Sequence, residues 1–215
     1  MKALRVTFFL VLLTGLTATA SAQGSVGRSA ITYMEGSVTL DGVSAAVGDI
    51  VPLGSTIATG DTSLCEIQWN GQNIIRLSAG TTFVFNPGNL QVGSELKKGA
   101  IALVLKKVST VAGGPGFTVR TPSAVAGVRG TTFFINAVDA STTYICSCNG
   151  SVHVEDPSGG SAHDMVSAHH KAYLFTTGAT GVGVTDSTLL YHSDADMDAL
   201  AKKIGVSIDW TTPDK

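Results

Sequence analysis

From Ile31 to Phe175 the chain is a succession of short β-like runs punctuated by glycine. In Cys65-Glu66-Ile67-Gln68-Trp69 the alternation is clean: Cys65, Ile67 and Trp69 point one way, Glu66 and Gln68 the other. Asp41-Gly42 and Asn149-Gly150 are hairpin signals, and Asn70-Gly71 closes a strand. A two-residue loop at Asn149-Gly150 would pair Cys148 with Ser151, Cys146 with His153 and Tyr144 with Glu155. Asp156 to Ser161 reads as a surface loop, and Val166 to Phe175 as a returning strand. With 25 glycines, 14% charged residues and abundant Val, Thr and Ile, the composition favours an all-β class.

One tetrapeptide occurs twice. Gly80-Thr81-Thr82-Phe83 returns as Gly130-Thr131-Thr132-Phe133, each shortly after a basic residue, Arg76 and Arg129. Similar turns that stack suit thin rungs building a common core. The expectation is therefore a β-solenoid-like or β-roll core, with a sandwich carrying a coincidental tetrapeptide as the alternative.

The two ends differ from this body. Lys2 and Arg5 precede an apolar run from Val6 to Leu16, and Ala20-Ser21-Ala22 supplies small residues for cleavage. Residues 1–22 read as a signal peptide, the mature chain starting at Gln23; the run is short of the ~20 residues a membrane span needs. Loss of Lys2 and Arg5 from the 14 basic residues leaves 12 against 16 acidic, a net charge of −4. No basic stripe suggests a nucleic-acid surface. Residues 23–180 read as the β domain and 181–215 as an extension holding one helix. Ser193 caps that helix, Asp194 to Ile204 form it, and Gly205 stops it. Met197, Leu200, Ala201 and Ile204 make its apolar stripe, expected to pack on the β-core.

The densest local pattern is Thr121-Pro122-Ser123-Ala124-Val125-Ala126-Gly127-Val128-Arg129-Gly130-Thr131-Thr132-Phe133. Pro122 fixes one φ, and Gly127 and Gly130 permit backbone angles that other residues avoid. This run resembles the Thr-Pro-x-Ala-x-x-x-Val-Arg-Gly-Thr-x-Phe signature of the FecR family, the periplasmic iron-dicitrate sensor domain. Val47-Gly48-Asp49, Leu53-Gly54, Ile57-Ala58-Thr59-Gly60, Arg76-Leu77 and Gly80-Thr81-Thr82-Phe83 support the resemblance, which spans roughly residues 31 to 137. It implies a β-solenoid-like module outside the cytoplasm that meets other envelope proteins. In this family the sensors also carry a cytoplasmic anti-sigma segment and a spanning helix, whereas the only apolar run here is the leader. The resemblance thus implies a stand-alone exported member, periplasmic or secreted, with an envelope protein or ligand as its partner. Thr121, Pro122, Gly127, Arg129, Gly130, Thr131 and Phe133 read as architectural signature residues, Arg129 through its five donors. Ser123 has no nucleophile context.

Three cysteines remain in a chain read as exported: Cys65, Cys146 and Cys148. An odd count leaves one free, metal-bound or bridged to a partner. Cys146 and Cys148 share one face of a predicted strand, and His153, His169, His170 and His192 follow. Thiolate with imidazole suits a transition metal such as zinc or copper. The candidate ligands are Cys146, Cys148, His169 and His170, then His192 and His153. A disulfide from Cys146 to Cys65 and inert core packing are the competing expectations. Two functional classes follow: a non-catalytic binding, interaction or sensing module, and a metal-binding or thiol-redox protein built on the same scaffold. No phosphate loop or paired acids point to an enzyme.

Overall fold

Strands whose side chains alternate between two apolar faces are buried on both sides, and the central strands of this chain do so. A computed structural model describes residues 28–87, 92–106, 116–128 and 130–214. The expected signal peptide and Arg129 lie outside the described residues. Within them the order is β1 (Ser29–Glu35), β2 (Val38–Leu40), β3 (Val43–Ser44), β4 (Ser55–Thr59), β5 (Leu64–Trp69), β6 (Asn73–Leu77), β7 (Thr82–Phe85) and β8 (Ser94–Leu105). Then come β9 (Phe117–Arg120), β10 (Val125–Val128), β11 (Thr132–Ala137), β12 (Thr142–Glu155), β13 (Ala162–Ser167), β14 (Lys171–Gly178), β15 (Gly181–Ser187) and α1 (Asp194–Lys202).

All fifteen strands join one bent, barrel-like sheet. Its two layers share β8 and β12. The first half of β8 pairs with β7 and β9, its second half with β6 and β11. Likewise β12 pairs first with β11 and β14, then with β10 and β13. One layer therefore runs β1-β5-β6-β8-β11-β12-β14-β15, and the other contains β2, β3, β4, β7, β9, β10 and β13 with the remaining halves of the shared strands.

The expected β-solenoid is not what is seen among the described residues. Its rungs would pair in parallel, whereas every ladder is antiparallel except a two-residue stretch between β8 and β9. The repeated tetrapeptide nevertheless marks a repeated device. Gly99 and Gly150 sit where β8 and β12 cross between layers, with φ of 83° and 118°. A Cβ at Gly99 would lie 2.5 Å from Thr81 Oγ1, and one at Gly150 would lie 2.9 Å from Thr131 Oγ1. Each threonine clamps the next residue of the crossing strand. Thr81 Oγ1 donates to the Ala100 carbonyl and accepts from its N–H, both at 3.1 Å. Thr131 Oγ1 does the same for Ser151, at 2.8 and 3.2 Å.

Asn149-Gly150 is therefore a crossing point, not a hairpin, and β12 runs through it. His153, expected beside Cys146, instead pairs with Gly127 and Asp164 in the other layer. The hairpin at Asp41-Gly42 does form, with Leu40 opposite Val43.

Alternation produces two cores. Ile67, Ile75, Leu103, Phe133, Ile135, Ile145 and Phe175 face the other layer and meet Ile57, Phe83, Phe85, Leu96 and Val154 there. Trp69 crosses this interior, its ring 5.4 Å from Phe85 and 5.8 Å from Phe117. The intervening residues Ile74, Ala102, Val104, Phe134, Tyr144, Cys146 and Cys148 face outward and are covered by Met197, Leu200 and Ala201 of α1. The helix packs as its stripe predicts. Ser193 and Asp196 form a capping box at its start. Residue 180 falls inside the β14–β15 hairpin, and β15 extends the same sheet.

Candidate functional site

The outward core holds the cysteine pair. Cys146 and Cys148 lie on β12 at positions i and i+2, so both sulfurs project from one face, as the sequence implies. Both residues are 0% exposed, and both thiols are free. The sulfurs stand 3.9 Å apart.

The imidazoles arrive from two other places. The sequence places His170 on the strand read from Val166 to Phe175. It instead occupies the turn between β13 and β14 with φ of 45°, unusual for a residue with a Cβ. Its N–H donates to the Cys148 carbonyl at 3.0 Å, which anchors the turn onto β12. Nδ1 then lies 3.5 Å from Cys146 Sγ, and the side chain is 8% exposed. His192 precedes the helix cap. Tyr144 positions this segment, its hydroxyl accepting from the Leu190 N–H at 3.1 Å and donating to the Thr188 carbonyl at 3.3 Å. His192 stacks on Phe134, ring centroids 4.4 Å apart, and puts Nε2 3.2 Å from Cys148 Sγ. One donor atom from each of Cys146, Cys148, His170 and His192 lies within 4.8 Å of the others.

His169 does not join this set. It is half exposed, and its Nε2 lies 2.9 Å from Asp194 Oδ2, while the other Asp194 oxygen lies 2.7 Å from His170 Nε2. Asp194 is thus a site residue that the sequence marks only as a first-turn acid of α1. A carboxylate two residues after His192 was the available signal. Trp210 flanks the group, its ring 5.0 Å from that of His170.

The electrostatics are asymmetric. The hydrogen bond from Cys148, reinforced by His170 and His192, holds the Cys146 thiol well below its ordinary range despite burial. Burial, aided by Cys146, pushes the Cys148 thiol well above it. For His170, burial favours the neutral ring, but Cys146 and Asp194 outweigh it and raise its value. The site therefore favours a thiolate at Cys146 beside imidazoles, a donor set suited to metal ligation or thiol chemistry.

Cys65 is elsewhere. It faces the inter-layer core, on the opposite side of the sheet from Cys146. A bridge between them would have to pass through the sheet, so the expected alternative disulfide does not form. Burial, with Glu66 beside it, pushes its thiol up to about 12, as befits inert packing.

Several signature residues among those described make contacts within the fold. Thr121 Oγ1 donates to the Ala124 carbonyl at 3.0 Å and accepts from its N–H at 2.9 Å, closing the turn that contains Pro122. Ser123 is fully buried, its hydroxyl 2.7 Å from that of Thr143. Gly130 has φ of 54°, as expected, whereas Gly127 lies inside β10. Phe133 is buried between the layers.

Residues 55–153 match the family model described as FecR protein. The chain carries a FecR domain. That FecR domain ends within β12, so Cys146 and Cys148 fall inside it while His170, His192 and Asp194 follow it. Two solved structures of a candidate anti-sigma factor from Parabacteroides distasonis ATCC 8503 are similar at 18% identity and a TM-score of 0.47. Each alignment covers 61% of this chain and 59% of that one, so the match spans about three-fifths of the relative's length. A search of curated proteins found no match. Among the described residues no helix is long and apolar enough to cross a membrane.

Proposed function

We propose that this chain is an exported, non-catalytic FecR-type module that holds a guest outside the cytoplasm, in the periplasm or beyond, for sensing or for interaction with an envelope protein. The guest site is the cluster of Cys146, Cys148, His170 and His192. The observation that carries the reading is the division of labour along the chain. Within the FecR signature Thr121 closes its own turn and Thr131 clamps Ser151, while four donors converge under the C-terminal segment. On this reading the Cys146–His170 pair holds the guest and does not attack it.

The test uses the full chain, produced with residues 1–22 in place and recovered from the periplasm. Native mass spectrometry is expected to show a mature N-terminus at Gln23 and one adduct that disappears in Cys146→Ser/Cys148→Ser. An adduct retained in that variant, or a chain left uncleaved in the cytoplasm, overturns the reading.

A second reading, thiol-redox chemistry, is favoured by the 3.9 Å separation of the two sulfurs. It predicts that mild oxidant removes two hydrogens reversibly from the wild type and none from the variant.

A further inference from the structure

We propose that Cys146, Cys148, His170 and His192 form a tetrahedral zinc(II) site that fastens the C-terminal segment to the sheet. The inference rests on the binding-site reading above and names its ligand.

The spacing fits. Zinc bonds of about 2.3 Å to sulfur and 2.0–2.1 Å to nitrogen, set tetrahedrally, require edges of about 3.8 Å between sulfurs and about 3.6 Å between sulfur and nitrogen. The sulfurs stand 3.9 Å apart, Cys146 Sγ lies 3.5 Å from His170 Nδ1, and Cys148 Sγ lies 3.2 Å from His192 Nε2. Thiol and imidazole donors thus already stand near the corners of one coordination sphere.

The second ring nitrogens are also committed as metal ligands require. His170 Nε2 faces Asp194 Oδ1 at 2.7 Å, and His192 Nδ1 donates to the Leu190 carbonyl at 2.9 Å. Outer partners of this kind fix the tautomer and aim the free nitrogen at the ion. The left-handed backbone at His170 belongs to the same picture, since strain held at one residue marks a position that geometry demands.

Charge selects a divalent ion, and the tetrahedral spacing selects zinc(II) over tetragonal copper(II). Two thiolates neutralise zinc(II), giving a site with no net charge among buried apolar groups. Copper(I) with the same ligands would leave a buried negative charge, which a low-dielectric setting disfavours. On binding, each thiol still protonated releases its proton to solvent, and no redox partner is needed.

The ligands come from three separate pieces of chain. Two lie on β12, one on the β13–β14 turn and one on the segment leading into α1. An ion bound by all four ties that segment to the face it covers.

The full chain, stripped of metal, is titrated with zinc(II) against a chromophoric chelator and with cobalt(II) as a spectroscopic substitute. The expected result is one equivalent per chain, with intense visible cobalt bands of a tetrahedral thiolate site. X-ray absorption of the zinc form should show two sulfurs near about 2.3 Å and two nitrogens near about 2.0–2.1 Å. His192→Ala should weaken binding a hundredfold or more, Asp194→Asn by about 10–100-fold through its outer-shell role, and His169→Ala should leave the stoichiometry at one. Zinc should slow proteolysis after Thr188 at least tenfold in the wild type and not in His192→Ala. An oxygen-only shell, an octahedral cobalt spectrum, or binding unchanged by His192→Ala overturns the site. Zinc bound without protection of the segment overturns the fastening. The X-ray absorption measurement needs no variant, so misfolding of a variant cannot obscure the answer. A non-metal adduct lost in Cys146→Ser/Cys148→Ser would refute zinc while leaving the binding-site reading intact.

Discussion

Glu66 shows how a single side chain can commit a distant segment. It sits on the outward face of β5, as the alternation around Cys65 predicts, with its side chain 1% exposed. Arg76 reaches Oε1 through Nη2 at 2.9 Å and through Nε at 3.0 Å, and Lys203, at the end of α1, reaches Oε2 at 2.7 Å. Removing one member of a buried charge group strands the others, at about 3–5 kcal/mol when all are buried. Arg76 and Lys203 keep contact with water, so Glu66→Gln should cost about 2–3 kcal/mol, read by urea denaturation. His153 supplies a pH signal. Asp164, 2.5 Å from its Nδ1, raises its value above the usual histidine range, with Glu155 helping against burial. A raised folded-state value means stabilisation is fully present below the unfolded value of about 6.5 and fades as pH rises through the folded one. His153→Gln should therefore flatten the decline of melting temperature that begins at about pH 6.5 and runs upward through the raised folded-state value. The cysteine pair was legible at this scale because a period of two needs only neighbours. His170 was not, because a left-handed residue breaks the period that placed it on a strand. Asp194 reads only as the first residue of the helix, and nothing in that placement says that it also faces two imidazoles.

At the scale of elements, the repeated Gly-Thr-Thr-Phe was visible but its purpose was not. Both copies place a threonine against the corner of a strand that changes layers, at Ala100 and at Ser151. Thr81→Val and Thr131→Val keep the shape and remove the hydroxyl, taking one hydrogen-bond partner from the backbone at each corner. Each should cost about 1–3 kcal/mol by chemical denaturation. If the tetrapeptide were coincidental, only one of the two would be sensitive. Asn149-Gly150 misled for a related reason. Local turn chemistry reports that the chain bends there, and a bend serves a hairpin or a crossing equally well. Long-range pairing decided, since Gly150 takes Ser167 as its partner and Asn149 takes Thr132. The carboxamide of Asn149 gained a different task. Its Nδ2 lies 2.8 to 2.9 Å from the carbonyls of Ala168, Asp209 and Thr212, which share its two N–H donors. The tail is thus held at the same end of β12 as the thiols.

For the whole molecule, β-class, the packing of the terminal helix and the FecR domain were all readable from pattern. Layer order was not, because it depends on which strands meet across long separations. Two tryptophans report on the two cores, Trp69 between the layers and Trp210 beside His170. In Trp210→Phe, fluorescence follows Trp69 alone and should coincide with the loss of β-sheet circular dichroism in one transition. Separate midpoints would mean that the layers are independent units. The shared strands make that outcome unexpected, and they carry a mechanical consequence. Neither layer can slide or swivel against the other without unzipping β8 or β12 from itself. Among the described residues a body built this way behaves as a stiff strut, with the C-terminal strip of chain laid across its flank.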